Sequence, residues 1–346
     1  MARSVLAGLV LVSALFVAAD SRSAEPPKVP EGALRAGIIG LTTSHVIAFT
    51  NTINDPAAEG AIAGVVVTAG YPGGMADNPS SIDRVEGYTQ QLRDKGITIY
   101  NTIEEMLPNV DVILLESVDG RPHLEQARLA IAAGKPLFID KPMAASLADV
   151  LEIFQLAEEA KVPVFSSSSL RFASGFQQMR NDSPIGEIVG CSAYSPCSLE
   201  EHHPDLFWYG VHGCEILFTI MGQGCETVSC TATDSTHLVV GTWSGGRVGT
   251  FRGIRPPGKA GYGATVFGTK GIQPGGDYEG YKPLVEVICK FFKTGEVPIA
   301  KQETIELFAF MEGADESKRL GGKPVSIADL IEKAKKFNAE RRSQAK

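Results

Sequence analysis

Between residues 34 and 166, short apolar runs alternate with segments of helical period, and this alternation constrains the fold more than any other feature. "RAGIIGL", "AIAGVVVTA", "ITIY", "VDVILLES", "PLFID" and "VPVFSSS" read as strands. Between them, "SHVIAFTNTIN" carries Val46, Phe49 and Ile53 on one face, and a later helix carries Ile82, Val85, Tyr88 and Leu92. "RPHLEQARLAIAAG" ends at Gly134, a C-terminal stop, and "SLADVLEIFQLAEEA" starts from Ser146, a cap. "VILLES" is uniformly apolar until its end, as a parallel strand covered on both faces must be. The pattern predicts an α/β fold with a doubly wound parallel sheet.

Beyond residue 166 the rhythm changes. "EIVGCSAY", "CETVSCTATD", "THLVVGTWSG", "RVGTFRGI" and "YGATVFGT" are closely spaced short strands, predicting a mainly antiparallel sheet. Helices "WYGVHGCEILFTIMG", "YKPLVEVICKFFKTG" and "TIELFAFMEGADESKRLG" flank it. The expected organisation is a dinucleotide-type domain over 34–166 and an α+β substrate and oligomerisation domain over 167–340, preceded by a linker at 25–33. Residues 1–24 have a positive start at Arg3, an apolar stretch and small residues toward their end, and read as a secretory signal. The mature protein is therefore expected to be periplasmic or secreted, with no stable membrane insertion after cleavage. Its six Cys are compatible with disulfides or with free buried thiols. A net charge of −8 without a basic run argues against a nucleic-acid partner.

Two stretches carry chemistry. In "GIIGLTTSHV" (37–46) a strand turns into a helix, where a dinucleotide fold places its phosphate-binding glycines. Gly40 can serve as the first, but Thr42 and His45 stand at the second and third positions. The end of the second strand holds Gly70 and Tyr71 in place of the acidic residue that takes a ribose. The helix N-terminus still favours an anion, with Thr43 and Ser44 adding hydroxyls; Arg84 and "GYPGG" are weaker candidates to cover an adenosine or 2′-phosphate. In "FIDKPMA" (138–144), Asp140, Lys141 and Pro142 fall at the C-terminal end of a parallel strand, the edge where ligands bind. Glu116, Ser117 and Arg121 fall at the same edge.

"SVDGRPHLEQARLAIAAGKPLFIDKPMAASLADV" resembles the segment that bears the Glu-Lys-Pro signature of the Gfo/Idh/MocA oxidoreductases. Pro122, His123, Gly134, Lys141 and Pro142 match its layout, with Asp140 replacing Glu. "SSLRF" (168–172), "GTKGI" and the C-terminal helices are similar to later segments, so the likeness spans about 34–330. The resemblance implies an N-terminal Rossmann domain that binds NAD or NADP; the cofactor-binding candidates, read from their place at this edge or from the matched segment, are Gly40, Thr42, Thr43, Ser44, His45, Tyr71, Glu116, Ser117, Arg121, His123, Asp140, Lys141 and Pro142. It implies a small-molecule sugar or polyol substrate, a homo-oligomer, Lys141 positioning the reacting hydroxyl and His212 acting as base. Trp208 stands one turn before His212, where the family commonly has Asp; it offers a stacking platform for a sugar. His202 and Asp205 are further catalytic candidates, and Arg171 and His203 substrate-binding ones. Two alternatives follow: a redox-inactive carbohydrate-binding scaffold, favoured by the absent glycines, and metal-assisted chemistry at His202, His203, Asp205, His212 and Glu215. No metal is assigned.

Overall fold

The computed structural model describes residues 25–344; the expected signal segment, residues 1–24, lies outside the described residues. The first sheet contains β1 (Leu34–Ile39), β2 (Val65–Tyr71), β3 (Thr98–Ile99), β4 (Val112–Leu115), β5 (Leu137–Asp140) and β6 (Val164–Ser167). Their spatial order is β3-β2-β1-β4-β5-β6, with every pair parallel. The connecting helices are α1 (His45–Ile53), α2 (Pro79–Arg93), α3 (Ile103–Met106), α4 (His123–Ala132) and α5 (Leu147–Ala160). Ser146 caps α5 by accepting from the Asp149 N–H at 3.1 Å.

Successive strand residues point to opposite faces. Ile38, Val112, Leu114 and Phe138 pack with Phe49 and Ile53 of α1. Ile39, Ile113 and Leu115 pack with the apolar faces of α4 and α5.

The chain then forms α6 (Ser174–Asn181), β7 (Ile188–Pro196), α7 (Val211–Met221), β8 (Cys225–Thr233), β9 (Thr236–Trp243), β10 (Val248–Ile254), β11 (Gly263–Gly268) and β12 (Gly271–Pro274). It ends with α8 (Lys282–Thr294), α9 (Lys301–Arg319), β13 (Val325–Ser326) and α10 (Ile327–Gln344). The second sheet has the order β12-β11-β7-β10-β9-β8-β13. It is antiparallel as expected, except that β7 and β10 pair in parallel. Every residue of α7 is buried. Its Gly213 permits close packing on the sheet: a Cβ there would lie 2.3 Å from the Phe251 ring.

Two downstream helices return to the first sheet. Leu284, Val285, Ile288 and Phe291 of α8 join the same core as α1, and Phe291 meets Phe165 edge-on at 4.8 Å between ring centroids. The core on this face of the first sheet thus includes a helix from outside residues 34–166, which covers Phe165 of β6 beside the ground held by α1. On the other side α10 clasps α5, with Asn338 donating to the Ala148 carbonyl at 2.7 Å and Arg341 to Asp149 at 2.8 Å.

Candidate active site

The C-terminal edge of the first sheet collects the turn after β1, the ends of β4 and β5, and the start of α7. Gly40 has φ +87°, and a Cβ there would fall 2.1 Å from Ser117 Oγ. The turn therefore packs directly on the end of β4. Thr42 is fully buried and its hydroxyl accepts from the Val118 N–H at 2.7 Å. The Thr43 hydroxyl accepts from the His45 N–H at 3.4 Å. Of the turn's hydroxyls, Ser44 alone is exposed.

His45 does not point to solvent. It is 7% exposed, stacks on Phe49 and meets Tyr281 edge-on. Its Nδ1 lies 2.8 Å from Asp140 Oδ2, across the end of β4. Burial pushes the Asp140 carboxyl up, but His45, with Lys141, more than offsets this and holds it below the usual carboxylate range. Glu116 lies close by, fully buried, with neither carboxylate oxygen hydrogen-bonded among the described residues. Burial, reinforced by the charge of Asp140, raises its pKa well above the ordinary value.

Lys141 is buried, with its ammonium 5.6 Å from the centroid of the Tyr209 ring. His212 projects from α7, its Nδ1 2.7 Å from the hydroxyl of Ser168 at the end of β6. Burial depresses the His212 pKa, and the charges of Lys141 and His45 depress it further. Lys141, His45, His212, Trp208 and Ser44 all line one cavity of about 450 Å³, with Ser80 and Arg84 also in its wall.

Other sequence-predicted residues lie elsewhere. Arg171 does not reach the cavity. Its guanidinium donates to Glu215 at 2.5 Å and to Glu303, which also pairs with Arg180 at 2.7 Å. Asp205 is turned away as well. It binds His237 at 2.8 Å and Lys318, and its pKa falls to about 2, chiefly through the His237 hydrogen bond. His202 and His203 share Glu200, at 2.7 and 2.6 Å; His203 Nε2 also accepts from the Gly120 N–H at 3.1 Å.

His123 is a buried brace, its ring nitrogens facing the Ser117 and Met143 carbonyls at 2.8 and 3.2 Å. Ser117 donates to Gln126 at 2.9 Å, while Arg121 forks onto Asp77 and Asp119. Tyr71 enters through its backbone, its carbonyl accepting from the Gly40 N–H at 2.9 Å. The metal-assisted alternative is corrected: among the described residues no group of three or more His, Cys, Asp or Glu comes together to hold a metal ion. His202 and His203 are turned onto Glu200, Asp205 onto His237, and His212 onto Ser168.

Sequence reasoning missed the cavity's tyrosine wall of Tyr209, Tyr262, Tyr278 and Tyr281. The signal was the dense Gly-Tyr spacing in "GYG" and "DYEGYK".

The family model for an oxidoreductase family with an NAD-binding Rossmann fold, GFO_IDH_MocA, matches residues 81–168. A 1,5-anhydro-D-fructose reductase from Ensifer adhaerens is 30% identical over 129 residues, 36% of this chain and 38% of that protein. Over the matched residues 81–168 this chain is similar to the Gfo/Idh/MocA oxidoreductases. An uncharacterized oxidoreductase from Synechocystis is 34% identical over 93 residues, 26% of this chain and 23% of that one. The matches thus span less than half the length of these curated relatives.

Similarity of fold extends further. A probable dehydrogenase from Thermotoga maritima superposes with TM-score 0.67 at 19% identity, over 86% of this chain and 100% of that one. A scyllo-inositol dehydrogenase from Lactobacillus casei, solved with NAD(H) and scyllo-inositol, gives TM-score 0.67 at 14% identity, over 86% and 99%.

The family's fold implies a nicotinamide dinucleotide, and the two ends of its site differ. The reaction end fits. The cavity sits at the strand edge, with the exposed Ser44 at the start of α1, Ser80 and Arg84 as anion donors, and Lys141 beside a polar floor. The adenosine end departs from the usual form. A Cβ on Gly73 would lie 3.4 Å from Gly40 Cα, so the loop after β2 covers the turn. Asn78 then bridges to Asp119 at 2.9 Å and Arg121 to Asp77 at 2.8 Å, tying that loop to the end of β4. Phosphates held here would lie outward of the turn, toward Ser80 and Arg84.

Proposed function

We propose that the chain is an NAD(P)-dependent oxidoreductase that moves a hydride between a sugar or polyol carbon and a nicotinamide cofactor. The observation that carries this reading is the meeting of Lys141, from the end of β5, with His212, from α7, in one buried cavity at the ligand-binding edge of a parallel sheet. The nicotinamide ring supplies the hydride chemistry when bound. Ser44, Ser80 and Arg84 hold its phosphates. The Lys141 ammonium donates to the reacting oxygen and stabilises the alkoxide character that develops there. Tyr209, Trp208 and Tyr262 give flat apolar faces suited to a sugar ring, and exclude water from the reacting carbon.

The test is a titration of the purified protein with NAD and NADP, followed by turnover with inositols, aldoses and 1,5-anhydrofructose, read as reduced-nicotinamide absorbance. Turnover that falls by about 10²-fold or more in Lys141→Ala is the expected result. No nucleotide binding up to millimolar concentration overturns it.

The Asn78–Asp119 bridge favours a second reading, a carbohydrate-binding scaffold without redox turnover. Glycan binding that survives Lys141→Ala, with no nucleotide bound, would select it.

The signal-like character of residues 1–24 supports export to the periplasm or medium; a mature N-terminus near residue 25 is the check. Exposed Val189, Tyr194 and Val248 on neighbouring strands β7 and β10 support a homo-oligomer built on the second sheet, which light scattering would measure.

A further inference from the structure

We propose that His45, oriented by Asp140, is the base that takes the substrate's hydroxyl proton, and that His212 is a neutral positioning group. This inference rests on the oxidoreductase reading and deepens it.

The carboxylate at 2.8 Å fixes the proton of neutral His45 on Nδ1. Nε2 is left with its lone pair and without a protein partner among the described residues, on a ring that lines the cavity. This is the orienter–imidazole pair of general-base sites: the carboxylate selects the tautomer and stabilises the imidazolium that forms. Lys141 and His212 face the same cavity, Tyr281 and Phe49 hold the ring, and Asp140 lies behind it. Burial pushes the Glu116 carboxyl up, so Asp140 is the carboxylate that bonds the ring.

His212 has the opposite surroundings. Its partner is the Ser168 hydroxyl, and burial together with the charge of Lys141 disfavours an imidazolium there. An imidazolium there would lack a counter-charge. A neutral His212 can still hydrogen-bond a second substrate hydroxyl.

In the step assigned, the carbinol O–H bond breaks and its proton goes to His45 Nε2. The C–H bond breaks with its electron pair, which passes as hydride to the nicotinamide nucleotide. C=O forms, so the carbinol is oxidised by two electrons and the nucleotide reduced by two.

Two measurements on the full mature chain test this. The first needs no turnover: side-chain ¹⁵N NMR of histidine-labelled protein from about pH 5 to 9. His45 should be an Nδ1–H tautomer, and that preference should be lost in Asp140→Asn. His212 should be neutral near neutrality. A wild-type His45 that carries its proton on Nε2, or a His212 that is an imidazolium near neutrality, overturns the proposal. The second uses whichever polyol turns over. His45→Gln should lower kcat by about 10²–10⁴-fold, change KM by only a few-fold, and erase the acid limb of the pH–rate profile. His212→Gln should act mainly on KM. An intact acid limb in His45→Gln overturns the proposal. If no polyol turns over, the oxidoreductase reading fails separately, and the NMR result still judges the pair.

Discussion

Thr42 accepts a hydrogen bond from the Val118 backbone N–H at 2.7 Å, joining the turn after β1 to the strand beside it. A residue with no side-chain oxygen here leaves a buried donor unmade. Thr42→Ala is expected to lower unfolding free energy by about 1–3 kcal/mol, and Thr42→Ser to retain most of it. Thr42→Gly should lose at least as much as Thr42→Ala, since glycine adds freedom to the unfolded chain. Urea denaturation of the three variants reads the order directly; equal stability of Ala and wild type would contradict the bond's role.

Asp119 anchors the bridge that narrows the adenosine end. Burial pushes its carboxyl up, but His203, Arg121 and Asn78 hold it well below the usual carboxylate range. Its contribution to stability is therefore complete above the unfolded Asp pKa, about 4, and is lost as pH falls below that value. Asp119→Asn should destabilise by about 2 kcal/mol near neutrality, with the gap to wild type closing in acid. Asn78→Ala should weaken the same bridge and tighten NAD binding, measured by calorimetry. Unchanged affinity would mean that the bridge does not restrict the slot.

The strands of the first sheet are legible because buried parallel strands are uniformly apolar and punctuated by helices. The destination of α8 is not. Its helical period reveals an apolar face but carries no address, and the face it covers is formed by strands over a hundred residues earlier. Lys141 and His212 could be placed because each sits at the end or start of a readable element. Arg171 and Asp205 were misplaced because a charged side chain's partner decides its role, and those partners, Glu303 and Lys318, lie on α9. The His45–Asp140 pair was hidden for a related reason. Its members belong to segments on either side of β4, and only the strand order brings them together.

Arg171 holds two buried carboxylates. Glu303 shares two guanidiniums, and although burial pushes it up, Arg171 and Arg180 hold it low. Glu215 has Arg171 alone, and burial leaves it raised. Arg171→Ala should strand both, at a cost of about 3–5 kcal/mol. Replacing Arg171 and Glu215 together by Met and Leu should cost less than the single change. Thermal melts of the two variants decide this, and a single variant no less stable than the pair would refute the network's coupling.

All six cysteines are free and buried. Burial pushes the thiols of Cys191, Cys225 and Cys289 up to about 12, and those of Cys197 and Cys230 to about 11. A thiol reagent should find almost no reactive group in the native protein and six after denaturation without reductant. Fewer than six would mean that export has paired some of them.

Glu116 contributes stability of the opposite pH sign to Asp119. Burial, with the charge of Asp140, raises its pKa in the folded protein above that of the unfolded chain. The folded state thus binds the extra proton, and stability falls as pH rises above the unfolded Glu value, about 4.3. Neither oxygen has a hydrogen-bond partner among the described residues, so an apolar side chain of similar length removes a desolvation cost without leaving a partner unpaired. Glu116→Met is expected to raise stability by roughly 1–2 kcal/mol at neutral pH. The gain should shrink toward pH 5, where the unfolded wild type begins to take up the same proton. Chemical denaturation of both proteins at the two pH values measures the difference. A loss of stability at neutral pH would show that the Glu116 carboxyl is ionised and held by a group such as a bound cation, and that the negative charge beneath His45 is shared between two carboxylates.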